Sequence, residues 1–77
     1  MKTTDTRPLS QVAEGEIVSI VEIKGGRGLR GRLTTMGLLP KTQIQVVRNG
    51  GSGPFVISIG NTRMALGRGV VDRIIVA

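Results

Sequence analysis

Gly25–Pro40 reads GGRGLRGRLTTMGLLP, and how this stretch folds decides how the rest of the chain is arranged. Leu29, Leu33 and Met36 stand at i, i+4 and i+7, one face of an α-helix. Arg30, Arg32, Thr34 and Thr35 fall mostly off that face. Gly37 follows the last periodic residue, where a left-handed helix cap favours glycine. Leu38 is then able to fold back on the helix end, and Pro40 stops any continuation. A helix of about two turns is not stable alone in water. The expectation is a short helix over residues 29–36, docked on a larger body by Leu29, Leu33 and Met36.

That larger body reads as β-structure on both sides. Upstream, Glu16–Ile23 (EIVSIVEI) is rich in β-branched residues and is bounded by Gly15 and Gly25. Apolar residues occupy both of its faces, Ile17, Val21 and Ile23 on one and Val18 and Ile20 on the other. A strand in a strongly curved barrel, or one partly covered by a helix, has this pattern. Further upstream, Pro8–Val12 forms a single turn that tucks Leu9 and Val12 onto the core. Residues 1–8 are polar and are expected to be a flexible tail, which leaves residues 9–77 as the domain.

Downstream, Gln43–Arg48 alternates with Ile44 and Val46 on one face. Asn49–Gly53 is a glycine-rich loop, and Pro54 opens the next strand where no amide donor is needed. Gly60–Asn61 is a two-residue hairpin signal, with glycine first as a type II′ turn requires. The implied register sets Ile59 opposite Thr62, Ile57 opposite Met64 and Phe55 opposite Leu66, so that the apolar faces coincide. After Gly67–Gly69, Val70–Arg73 makes a helical turn and Ile74–Val76 a closing strand. The fold class that follows is mainly β: a small SH3-like barrel of five to six short strands, with one short α-helix inserted after the first strand.

Composition limits the chemistry. A chain of 77 residues is a single domain that buries only about 60 % of its unfolded surface. It has neither cysteine nor histidine, so disulfides and the usual transition-metal ligands are absent. No metal site and no cofactor is expected. The five carboxylates, Asp5, Glu14, Glu16, Glu22 and Asp72, are dispersed. With no His, Cys or Tyr, a nucleophile and base cannot be assembled, and the chain reads as a non-enzyme. The net charge of +6 favours anionic partners. Phe55 is the one aromatic, so base stacking is nearly unavailable and nucleic acid is disfavoured. No apolar run approaches the length that spans a bilayer, and the N-terminus lacks the apolar core of a signal peptide. A cytoplasmic location is the expectation.

Gly26–Gly31 spells GxGxxG after a strand and at the opening of a helix, the position where such glycines bring helix amides to a pyrophosphate. The helix is too short for a crossover, and the acidic ribose partner about 20 residues on is missing. A phosphate-loop reading fails as well, since Arg32 and Leu33 replace the lysine and the magnesium-binding hydroxyl. The glycines serve a sharp exit from the strand. Arg27, Arg30, Arg32, Arg63 and Arg68 form a candidate basic surface, which Lys24 and Lys41 could extend.

The pattern Leu9-Ser10…Gly15, then Gly28, Leu29, Leu33, Met36, Gly37, Leu38 and Pro40, then Ile44, Val46, Val47 and Arg48, then RMALGRG at Arg63–Gly69, resembles the FeoA family. That family is the small cytoplasmic component of bacterial ferrous iron uptake. The resemblance spans Leu9–Val76. It implies an SH3-like barrel with Gly28, Leu29, Leu33, Met36 and Gly37 as the structural core of the motif. It also implies a partner, the cytoplasmic, G-domain-containing part of the FeoB membrane transporter, with the membrane reached only through that transporter. The candidate contact residues are Arg27, Arg30, Arg32, Leu38, Pro40, Arg63 and Arg68. Lys41 departs from the family, which commonly has glycine there. Self-association through exposed strand edges is a further expectation, and a small nucleic-acid- or ribosome-associated barrel is the alternative function.

Overall fold

Alternating apolar runs cut by glycine turns produce six strands and two helical segments in the computed structural model, which describes residues 5–77. These are β1 (Arg7–Pro8), β2 (Ile17–Ile23), α1 (Arg27–Thr35), β3 (Gln43–Arg48), β4 (Phe55–Ile59), β5 (Thr62–Leu66), α2 (Arg68–Val71) and β6 (Ile74–Val76). A 3₁₀ turn at Leu9–Gln11 joins β1 to the rest. The strands run antiparallel in the order β1-β6-β2-β3-β4-β5, the SH3-like barrel with its inserted helix.

The hairpin β4–β5 has the register that its turn implies: Ile59 faces Thr62, Ile57 faces Met64 and Phe55 faces Leu66. Gly60 has φ +58° and Asn61 is not in the left-handed region, as a type II′ turn requires. Inside the barrel, Leu9, Val12, Val18, Ile20, Ile44, Val46, Phe55, Ile57, Leu66, Val71, Ile74 and Val76 close the core, joined from the helix side by Leu33 and Leu38. The apolar residues on both faces of β2 are resolved by a bulge. Ile20 pairs with Val76 and Glu22 with the adjacent Ile75, which leaves Val21 unpaired. The extra residue reverses the strand's parity. Ile23 therefore packs on the core, while Ile17 and Val21, of the same parity, stay exposed.

Two expectations are corrected here. Residues 1–4 lie outside the described residues, but Arg7 and Pro8 are not tail: they pair with Val76 and Ile75 as an edge strand. Proline suits that edge, having no amide to offer a further neighbour. Met36 is not part of the helix anchor, since it is 40 % exposed. Leu38 takes its place. Gly37 at φ +91° reverses the chain, the Leu38 amide donates to the Leu33 carbonyl at 2.8 Å, and the Gly37 amide donates to the Thr34 carbonyl at 2.9 Å. This is a Schellman cap, in which the residue after glycine packs against the helix's last turn. Leu33 and Leu38 are accordingly buried together.

The next turn is unusual. The Thr42 amide donates to the Leu39 carbonyl at 3.0 Å, with Pro40 and Lys41 between them. Lys41 holds φ +77°, the single left-handed non-glycine residue among those described. A type II turn asks for glycine at that position.

Helix α1 is weak by its own sequence. Its N-cap is Gly26, without a side-chain bond, its first turn carries no acid, and Arg27 opposes the helix dipole. Gly31 sits in its interior, and a methyl group there would meet open space. Gly31→Ala should therefore stabilise the fold by about 1 kcal/mol and raise the midpoint of thermal unfolding by about 4–8 °C. Gly37→Ala should lower the midpoint, because it forces a side chain into the left-handed cap. Circular dichroism melts of the two variants check both signs.

Candidate docking surface

The stretch from Ile23 to Val71 contains no Asp or Glu, yet it holds Lys24, Arg27, Arg30, Arg32, Lys41, Arg48, Arg63 and Arg68. All five carboxylates lie at or before Glu22 or at Asp72. Two of them are committed to the opposite end of the barrel. Glu14 Oε2 accepts the Asn49 amide at 2.8 Å, and Glu16 accepts the Ala13 amide at 2.8 Å and meets Arg7 Nη2 at 3.2 Å. Among the described residues Arg7–Glu16 is the one ion pair, so Arg27, Arg30 and Arg32 carry uncompensated charge.

Helix α1 distributes these arginines around its exposed side. Leu33 and the half-buried Leu29 face the core. At 100° per residue, Gly31 then points outward, Arg27, Arg30 and Thr34 lie along one flank, and Arg32 with Met36 lies along the other. The first flank borders a groove of about 230 Å³ lined by Glu22, Ile23, Arg30, Thr34 and Pro40. Ile23 and Pro40 supply its apolar walls, Arg30 a cation and Glu22 a carboxylate.

The structure groups the candidate residues differently from the sequence. Arg27, Arg30, Arg32 and Pro40 are exposed at the α1 side. Leu38 is completely buried and leaves the contact set, for the capping reason given above. Arg63 stands exposed on the edge strand β5. Arg68 is a tether rather than a free cation: its Nη1 donates to Asn49 Oδ1 at 2.9 Å, its Nη2 to the Gly53 carbonyl at 3.4 Å, and its guanidinium lies 5.7 Å from the Phe55 ring centre. Gly28 and Gly31 line the open side of α1 without contacts that demand glycine. The GxGxxG stretch does open a helix after a strand, but β2 pairs only with antiparallel neighbours, so no parallel crossover exists for a nucleotide.

Asn49 is a residue that sequence reasoning passed over as loop. Its Nδ2 donates to the carbonyls of Ser10 at 3.0 Å and Val12 at 2.6 Å, while its Oδ1 accepts from Arg68. The side chain thus clips the 3₁₀ turn, the glycine loop and α2 together. The signal that could have marked it is an amide-bearing residue at the entry of a loop otherwise made of Gly and Ser. Asn49→Ala leaves two carbonyls without this donor and removes one of the two hydrogen bonds of the Arg68 guanidinium, and should cost about 2 kcal/mol in urea unfolding.

The Ala13 amide, and then the Arg7 guanidinium, hold the Glu16 carboxyl below its ordinary value. A lowered folded-state value gives stability that is present above the unfolded carboxylate range and is lost as pH falls through the folded value. Glu16→Gln should flatten that part of the acid limb of a stability–pH profile and leave the neutral limb parallel to the parent's.

Comparison with known proteins supplies the context. The FeoA domain model matches residues 7–77. A protein of Methanocaldococcus jannaschii, provisionally named Fe(2+) transport protein A, is 38 % identical over 69 residues, covering 90 % of this chain and 83 % of that one. The crystal structure of an iron uptake regulatory protein (FeoA) superposes with a TM-score of 0.85 at 38 % identity, covering 96 % of this chain and 97 % of the other. A manganese-dependent transcriptional repressor superposes at 0.87 over 99 % of this chain and 43 % of its own, but at 17 % identity, so it shares the fold alone.

Proposed function

The chain belongs to the FeoA domain family, and from that membership we propose that it is a non-enzymatic accessory protein of ferrous iron uptake that docks on the cytoplasmic part of a FeoB-type membrane transporter. The observation that carries the reading is the α1 side of the barrel, where Arg27 and Arg30 flank the groove of Ile23 and Pro40, Arg32 lies on the helix's other flank, and none of the three has an ion pair. Charged rims of this kind accelerate encounter with an acidic partner and set its orientation. Any influence on transport then arises from unequal affinity for the transporter's conformations. The work is done by binding, with no covalent step. A helix that is weak on its own suits this role, since a partner that covers α1 stabilises it as it binds. The site of action follows from the partner: the cytoplasmic face of the membrane. Within the described residues no helix is long and apolar enough to cross a membrane.

The nucleic-acid reading has the charge in its favour but no stacking surface, because Phe55 is fully buried under Arg68.

Titration of fluorescently labelled protein with the purified cytoplasmic part of the transporter should give saturable binding that weakens with salt. Replacing Arg27, Arg30 and Arg32 together by Gln should weaken it by about tenfold or more, chiefly through the association rate. Binding that is absent at low salt, or indifferent to all three substitutions, contradicts the proposal.

A further inference from the structure

The turn that follows α1 places two exposed apolar side chains between cations, at a cost to the backbone. Met36 caps the helix at 40 % exposure and Leu39 is 43 % exposed. Pro40 beside them is also exposed. Arg32 lies one turn before Met36 on the same flank of α1, its carbonyl accepting the Met36 amide at 3.2 Å. Lys41 lies two residues after Leu39 and holds φ +77°. Its amide donates to the Ile20 carbonyl at 2.7 Å, which fastens the turn to β2 beside the exposed bulge residue Val21. The result is an apolar tip of Met36, Leu39 and Pro40 bracketed by Arg32 and Lys41. Strain at a non-glycine residue is informative when the fold itself would be served better by glycine. Here the strained residue presents an ammonium group at the edge of an apolar tip.

We propose that this tip seats the protein directly on an anionic phospholipid surface, with Met36 and Leu39 entering the headgroup region while Arg32 and Lys41 meet the phosphates. Peripheral attachment needs two signals acting together, apolar insertion and basic charge, and the tip supplies both on one corner of the fold. Charge complementarity selects the occupant. The tip lies within the acid-free stretch from Ile23 to Val71, and the nearest carboxylate in the groove, Glu22, is on the Arg30 flank. A second copy of the chain would bring the same cations against each other, which disfavours it. The surface shares Pro40 with the transporter-facing groove but is centred on Met36 and Leu39, outside its lining, so a protein resting on the bilayer by its tip keeps Arg27 and Arg30 free for a membrane-embedded partner.

Flotation of the full chain with vesicles tests the assignment without any transporter. Vesicles of phosphatidylcholine mixed with phosphatidylglycerol should carry the protein at low salt, and vesicles of phosphatidylcholine alone should not. Lys41→Gly should reduce partitioning about fivefold, the loss expected for one cation at an anionic surface. The same variant relieves the turn, so its unfolding midpoint should rise, which separates lost binding from lost folding. Met36→Ser with Leu39→Ser should reduce partitioning about tenfold or more, with an unchanged circular dichroism spectrum. Three results would overturn the proposal. One is no flotation with anionic vesicles at low salt. Another is equal flotation of the parent and both variants, which would assign the effect to overall charge. The third is loss of transporter binding in Lys41→Gly with vesicle binding unchanged, which would give the tip to the protein partner.

Discussion

The contact between Leu33 and Leu38, closed by the left-handed conformation of Gly37, is the joint on which the α1 side of this molecule depends. Helix α1 has little stability of its own: two glycines, a bare N-cap and an arginine against the dipole. Burial of a leucine side chain contributes about 1.5–3 kcal/mol, and here two leucines are buried through one chain reversal. That reversal fixes the helix on the barrel. It also sets the direction in which residues 39–42 leave, and hence where Pro40 meets β2 to form the groove.

The same joint explains why the exposed residues are exposed. A chain turned back by the cap puts Leu38 inside, so Met36 and Leu39 on either side of it cannot follow and remain at the surface. The turn at Pro40–Lys41 then returns the chain to β3 in four residues, and the left-handed geometry of Lys41 is the condition for so short a return. Packing, backbone geometry and surface chemistry are therefore one problem at this corner. At the far end of the barrel a different device operates: Asn49, Glu14 and Arg68 hold the glycine loop by hydrogen bonds rather than by apolar burial. Glu14 and Glu16 are engaged there, and Glu22, the one carboxylate lining the groove on the helix side, forms no ion pair with the arginines of α1.

Much of this was legible in the sequence where two local signals coincide. The β4–β5 register follows from Gly60–Asn61 together with strict alternation in Phe55–Ile59, and the helix cap from Gly37 placed after a 3.6-residue stripe. The rest depends on contacts that sequence spacing does not encode. Periodicity treats Met36 as a core position, because it extends the helix without the reversal that substitutes Leu38. Arg7–Pro8 is too short to show alternation, and its strand character comes from β6, nearly seventy residues away in the chain. Arg68 reads as one more surface cation until Phe55 and Asn49 are brought beneath it. Of the candidate contact set, the exposure of Arg27, Arg30, Arg32 and Pro40 on the α1 side was legible because α1 itself was, whereas Leu38 was misplaced for the same reason as Met36.

The central claim is that the α1 side of this FeoA-family barrel is the surface that meets the transporter. Native-state hydrogen exchange of the backbone amides, followed with and without the transporter's cytoplasmic part, tests it most directly. The account predicts fast exchange across Gly28–Thr35 in the free protein and strong added protection of those amides in the complex, with β5 unchanged. Protection gained along Thr62–Leu66, with α1 still exchanging freely, would contradict it.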